Sequence, residues 1–333
     1  MTGKKTVFLF PGQGAQYPGM ALDLLETGSA KIRELFELAS EIMGRDMAAL
    51  LRDSAPETLK QSDKAQPAVT LANLSAAALL VERGFRPLAC AGHSLGEYAA
   101  LETAGIVSTA DCFTLVKRRG AAMRRAAERL AGTGAGGTAQ AAGMAQAASM
   151  AAVIGLSPDR VEALIAEWKA GENGPAMCEL YAANFNSPRQ TVVSGSAAAL
   201  ALAEERFKAA GARRVAALQV AGPFHSPLMA EAAEEFRSVL EAASFHDPLI
   251  PVYSNVTGSR IGSGAEAKKL ALEQITRPVR WTAVEQALLE TGPEIILEAG
   301  PGRVLQGLWK DSGSPLPCYP AGTVAEIDNL FEN

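Results

Sequence analysis

The segment Leu88–Thr103 admits few folds. Leu88–Ala91 is a short apolar run, Gly92-His93-Ser94-Leu95-Gly96 follows, and Leu95–Thr103 has the composition of a helix. Glycines on both sides of a serine are what a sharp strand-to-helix turn needs, because side chains there would collide as the backbone doubles back. The same turn lifts the serine hydroxyl clear of the main chain. With 31 glycines and 20 serines in 333 residues, about 0.17 matches to G-x-S-x-G arise by chance. The strand before and the helix after therefore carry as much weight as the string. The competing reading makes Ser94 a helix N-cap, with Glu97 closing a capping box.

The rest of the chain repeats this alternation. Thr6–Phe10 reads as a buried strand running into the Pro11-Gly12 turn. Helical spacing follows at Ala30–Met43 and Ala65–Arg83, with Pro67 near the start of the second, where a first turn tolerates it. Ser108-Thr109-Ala110-Asp111 resembles a capping box that opens a helix through about Leu130. Met150–Ile154, Pro158–Ala170, Leu180–Ala183, Thr191–Ser194, Ala197–Ala210 and Arg213–Leu218 read as β-α-β-β-α-β, the order of a ferredoxin-like unit. Helices are then expected at Pro227–Ala243, Ala265–Ile275 and Thr282–Glu290, with strands at Pro251–Ser254 and Glu294–Leu297. The pattern predicts an α/β fold: a body built on a mainly parallel sheet, 1–137 and 219–333, with a small α+β subdomain inserted at 138–218. Ala131–Ser149, rich in Ala and Gly and free of charge, reads as a flexible connection or a poorly ordered insertion.

Composition removes several functions. The net charge of −5 argues against nucleic-acid binding as the main activity. Cys90, Cys112, Cys178 and Cys318 form no CxxC pair, and His93, His225 and His246 form no HxxxH or HExxH spacing, so neither a disulfide framework nor a zinc site is expected. No run of about 18 apolar residues occurs and the N-terminus lacks a signal-peptide pattern, so the expected compartment is the reducing cytoplasm, with no membrane partner.

A serine hydroxyl that attacks needs a base. His93, adjacent to Ser94, should point away from it, and His246 sits in a surface turn. His225, in Gly222-Pro223-Phe224-His225-Ser226, follows a strand and precedes a helix, a position equally suited to a base and to a structural histidine. Phe10–Gln16 (FPGQGAQ) is either a tight turn or a source of backbone N–H groups for an oxyanion. It is not a nucleotide loop, since Tyr17 replaces the third glycine of G-x-G-x-x-G. Lys117-Arg118-Arg119 reads by itself as a solvated helix face.

Taken together, the residues are familiar. FPGQGAQ at 10–16, GHSLGEYA at 92–99, Arg119-Gly120, ANFNSP at 183–188, GPFHSPLM at 222–229, SNVTG at 254–258, QITRPVRW at 274–281 and EAGPG at 298–302 stand in one order. In that order the chain resembles the malonyl-CoA:acyl carrier protein transacylases of fatty-acid synthesis, and the stand-alone acyltransferases that serve polyketide synthases. The resemblance runs from about Thr6 to Pro320. It implies an α/β-hydrolase-like body with a ferredoxin-like insert, and transfer of malonyl from malonyl-CoA to an acyl carrier protein through a seryl ester, with no cofactor. By position it puts the nucleophile on Ser94, the base on His225, the oxyanion donors on the backbone N–H groups of Leu95 and Gln13, the grip on the free malonyl carboxylate on Arg119, and support of the histidine on Gln274. Phe224 would favour malonyl over methylmalonyl. Lys208, Arg213 and Arg214 are basic candidates for meeting an acidic carrier protein. Alternatives sharing Ser94 and His225 are a trans-acting polyketide acyltransferase and an acyl hydrolase; a carrier-binding scaffold would need neither residue. Ala131–Ser149 and Glu172–Pro175 look like additions to the family pattern.

Overall fold

A computed structural model describes residues 3–132, 149–171 and 174–332. Most of the Ala/Gly-rich stretch 131–149, the expected boundary at 137/138, and residues 172 and 173 of the added turn lie outside the described residues.

Five strands make the main sheet: β1 (Thr6–Phe10), β2 (Pro87–Gly92), β7 (Val252–Tyr253), β8 (Ile295–Glu298) and β9 (Cys318–Pro320), in the order β7-β2-β1-β8-β9. Every pairing is parallel. The central strand shows why this sheet must be covered on both faces. All five residues of TVFLF are buried; Phe8 and Phe10 enter one apolar cluster, Val7 and Leu9 the other. An unbroken apolar run with period-two alternation between two cores is the signature of a doubly covered parallel strand.

The remaining strands, β3 (Ser149–Ile154), β4 (Leu180–Ser187), β5 (Gln190–Gly195) and β6 (Arg214–Ala217), pair antiparallel in the order β4-β5-β3-β6. With helices Pro158–Ala170 and Ala197–Ala209 between them, this is the ferredoxin-like arrangement expected from the element order. Its own helices cover one face through Val153, Val161, Leu164, Val193 and Phe207. The opposite face, with Met150, Ala152 and Val192, joins the core of the body. Main-chain bonds Phe185 N to Val279 O and Val279 N to Ala183 O, both 2.8 Å, tie the edge strand β4 to the body.

Several elements differ from expectation in extent. The helix expected from Ala65 begins at Ser62, so Pro67 lies inside it; the missing N–H falls where the partner would be the carbonyl of Asp63. The segment from Pro227 opens as a 3-10 turn, Pro227–Met229, before the α-helix Ala230–Ala242. The C-terminal elements Val304–Asp311, Cys318–Pro320 and Val324–Asn329 had no counterpart in the sequence reading. No helix among the described residues is long and apolar enough to cross a membrane.

Candidate active site

Strand β2 delivers the chain to Ser94, whose φ is 50°, and helix Gly96–Thr103 carries it away. A left-handed conformation at a non-glycine residue costs roughly 1–2 kcal/mol, so the surroundings must impose it. The flanking glycines are sterically required. A Cβ on Gly92 would lie 1.9 Å from the carbonyl carbon of Gly96, and one on Gly96 would lie 2.0 Å from Phe10 O. The N-cap alternative does not describe this turn: the cap position is Leu95, and it makes no side-chain cap. Ser94 Oγ instead lies 2.7 Å from His225 Nε2.

His225 also has positive φ, 57°, and its ring is buried. Nδ1 lies 2.8 Å from the main-chain oxygen of Gln274. A carbonyl can only accept, so Nδ1 carries the proton and Nε2 presents its lone pair to Ser94. Burial above all, and then the positive charge of Arg119, push the His225 pKa down to about 3; the Gln274 carbonyl opposes them. The imidazole is therefore neutral at pH 7. A hydroxyl so placed beside a neutral imidazole can lose its proton as it attacks.

Arg119 projects from helix Thr109–Gly132 and is buried, so the solvated-face reading of this residue gives way. One terminal nitrogen donates to Gln66 Oε1 at 3.0 Å, the other to Gln274 Oε1 at 2.9 Å, and the guanidinium lies over the Tyr98 ring. Among the described residues no carboxylate comes within ion-pair distance of it. Burial lowers its pKa, while nearby Tyr98 and Glu97 partly offset that. Gln274 thus serves three groups: its backbone oxygen faces the histidine, its side-chain oxygen faces the arginine, and its side-chain nitrogen donates to Ser94 O.

The Pro11–Ala15 loop meets the turn from the other side. Asn73 Nδ2 donates to Pro11 O at 2.9 Å, and Gln13 Nε2 donates to Ser62 Oγ at 3.2 Å. A Cβ on Gly12 would lie 2.4 Å from His93 O and 3.6 Å from Leu95 N, so the two loops touch. Among the described residues the backbone N–H groups of Gln13 and Leu95 donate to no acceptor of the chain. A cavity of about 260 Å³ has Gln13, Ser94, Arg119, Phe224 and His225 on its wall, faced by Met150, Ala152 and Val192 of the small sheet.

Among the buried polar residues of this region, Gln66, Asn73 and Asn255 carry no expectation from the sequence, and Glu97 only that of closing a capping box. Glu97 accepts from Asn255 N at 2.7 Å, and burial raises its pKa to about 7. His93 turns away from Ser94, its Nε2 2.9 Å from Asn186 Oδ1 and its ring edge-on to Trp281. His246 is exposed. Of the basic candidates for a partner surface, Lys208 is paired with Glu204, and Arg213 and Arg214 are exposed.

A hydroxyl on a strand-to-helix turn over a parallel sheet, an imidazole against it and a buried guanidinium in the same cavity define the serine acyl-transfer class of α/β proteins. The comparisons narrow that class. The chain matches the acyl transferase domain family over residues 7–178 and 155–319. It is 37% identical to the malonyl CoA-acyl carrier protein transacylase of Bacillus subtilis over 306 residues, 92% of this chain and 90% of that protein. The crystal structure of malonyl-CoA:acyl carrier protein transacylase from Xanthomonas oryzae superposes with a TM-score of 0.86 at 36% identity, covering 100% of this chain and 99% of that one. A malonyl-transacylase solved in complex with a type II PKS acyl-carrier protein gives a TM-score of 0.86 at 32% identity, covering 99% of each chain. The chain belongs to the malonyl-CoA:acyl carrier protein transacylase family.

Proposed function

We propose that this chain transfers malonyl from malonyl-CoA to the phosphopantetheine thiol of an acyl carrier protein through a malonyl ester on Ser94. The observation that carries the reading is Arg119: a buried guanidinium held by two amide oxygens, in the same cavity as the Ser94–His225 pair. Amides orient the fork without neutralising it, which suits it to a carboxylate on the substrate through charge-assisted bonds.

His225 Nε2 takes the Ser94 proton as Oγ adds to the thioester carbonyl. The developing oxyanion meets the N–H groups of Leu95 and Gln13; loss of one such donor in other enzymes costs about 3–4 kcal/mol. The tetrahedral intermediate collapses, the C–S bond breaks, and the CoA thiolate takes the proton from His225. The carrier thiol then reverses these steps with His225 again as base, a ping-pong scheme. Gln274 O keeps Nε2 as the acceptor in both halves. Phe224, directly before His225 and on the cavity wall, crowds the substrate α-carbon and favours malonyl over its methylated analogue.

Residues 138–218 act in this reading as an inserted subdomain that closes the cavity over the body. The buried free thiols of Cys90, Cys112 and Cys318 fit a cytoplasmic enzyme.

The test is intact-protein mass spectrometry after mixing with malonyl-CoA, then with a holo carrier protein. One malonyl adduct is expected, absent in Ser94→Ala and discharged by the carrier faster than by water. Discharge to water at an equal rate would make the chain a hydrolase; an adduct surviving in Ser94→Ala would remove Ser94 as the acceptor.

A further inference from the structure

We infer that Asn255 is the positioning residue of the nucleophile turn: its side chain imposes the backbone conformation of Ser94 and withdraws the Ser94 N–H from the oxyanion site. The inference rests on Ser94 being the acyl acceptor.

One buried carboxamide spans the turn. Asn255 Oδ1 accepts from Ser94 N at 2.6 Å, and Asn255 Nδ2 donates to Gly92 O at 2.7 Å. The two backbone groups flank His93, so the amide bridges the chain where it reverses. A carboxamide offers one acceptor and one donor here without taking up charge or a proton. The carboxamide is itself fixed through its own main chain. Asn255 N donates to Glu97 Oε2 at 2.7 Å, and Asn255 O accepts from Arg280 N at 2.8 Å. Glu97 lies on helix Gly96–Thr103, the helix that leaves the turn. Asn255 therefore couples the end of strand β7 to both limbs of the turn.

This bridge answers two questions that the Ser94–His225 contact leaves open. Ser94 sits at a φ of 50° without being glycine, and the paired amide compensates both backbone groups on the approach to it. The carbonyl of Ser94 is held separately, by Gln274 Nε2 at 3.0 Å. Both main-chain polar groups of the serine thus have side-chain partners, and the first N–H of the turn without a partner among the described residues is that of Leu95. Asn255 does not line the cavity, and its side chain bonds to main-chain groups rather than to the Ser94 hydroxyl. It acts through Ser94 and Leu95, so its loss should slow acylation and leave substrate affinity alone.

The experiment is rapid-quench measurement of Ser94 acylation by malonyl-CoA in Asn255→Ala and Asn255→Asp, with burst amplitude reporting the competent fraction. A displaced hydroxyl and oxyanion donor should slow acylation by about 100-fold in Asn255→Ala. Half-saturation by malonyl-CoA should stay within about 3-fold of wild type. Asn255→Asp keeps an acceptor for Ser94 N but sets a carboxylate oxygen against Gly92 O in place of the donor, so its rate should fall below that of wild type. A role in stability alone would reduce burst amplitude and the thermal midpoint while each competent molecule acylated at the wild-type rate; that result in Asn255→Asp, which keeps the shape of the side chain, overturns the inference even if Asn255→Ala does not fold. The Ser94→Ala control separates failure of the functional reading, in which wild type itself shows no Ser94 adduct, from failure of the inference, in which wild type and the Asn255 variants acylate alike.

Discussion

The body wall of the cavity and the apolar strip that faces it are built by opposite rules. On the body side the polar atoms that face the chemistry have fixed partners: Ser94 Oγ with His225, His225 Nδ1 with Gln274 O, and the Arg119 terminal nitrogens with Gln66 and Gln274, all between 2.7 and 3.0 Å. On the other side the small sheet offers an apolar strip, Met150, Ala152 and Val192, beside the polar Asn184, Asn186 and Gln190. The first wall needs fixed angles, because proton transfer and charge recognition fail when groups move by an ångström. The apolar strip needs only volume and dryness, which side chains of about the right size supply. Damage to the body wall should therefore abolish chemistry, and damage to the apolar strip should only retune it.

The sharpest contrast comes from Ser94→Ala. Transfer should fall by at least about 10⁴-fold, because the covalent route is lost and only binding and oxyanion donors remain; a steady-state transfer assay checks it. Arg119→Ala comes next. Malonyl transfer should drop by about 10³-fold, and preference for malonyl over acetyl should shrink by a similar factor, because a buried cation no longer rejects the neutral group. Competition between the two acyl-CoAs measures this, and unchanged selectivity would move the carboxylate grip to another residue. Smaller in size, but specific to the body wall, is the pH response. His225 acts only when neutral, and burial together with Arg119 lowers its pKa to about 3. The acid limb of kcat/KM should therefore lie well below pH 6.5, the ordinary imidazole value. Stability has the same sign: the unfolded chain protonates this ring near pH 6.5 and the folded one resists, so its share of stability is lost as pH falls from about 6.5 towards 3. A pH series of kcat/KM and of thermal midpoints, wild type against His225→Gln, reads both.

The same contrast explains what could be read in advance. The turn at Ser94 is local: strand, two glycines and helix lie within a few residues, so the string and its surroundings disclosed it. The ferredoxin-like order was legible for the same reason, as each element carries its own periodicity. The amide partners of Arg119 were not. Gln66 and Gln274 reach it from 53 and 155 residues away, and a glutamine has no periodic signature. Gln274 could be placed only by resemblance, and its contact with His225 runs through a backbone oxygen that every residue possesses. Asn255 had a faint signal: a polar SNVTG run directly after a short apolar strand, where burial requires some partner for the amide.

The smallest effect is expected where the comparison is most exposed to failure, at Val192. This residue pairs with Ala152 across the small sheet, is buried, and lines the cavity. Val192→Ala removes two methyl-sized groups that border existing space, so little new void forms and the cost should be about 1–2 kcal/mol of stability. No hydrogen bond of the Ser94–His225–Gln274–Arg119 set involves it. Malonyl transfer should therefore stay within about 5-fold of wild type. A methyl branch on the substrate, which needs room rather than a partner, should be accepted up to about 10-fold better, the scale on which one methylene in an apolar pocket is discriminated. Parallel assays with malonyl-CoA and methylmalonyl-CoA measure both. Loss of malonyl transfer on the scale of Arg119→Ala, in a folded variant, would mean that the small sheet holds the catalytic angles too, and the division between the two walls would not stand.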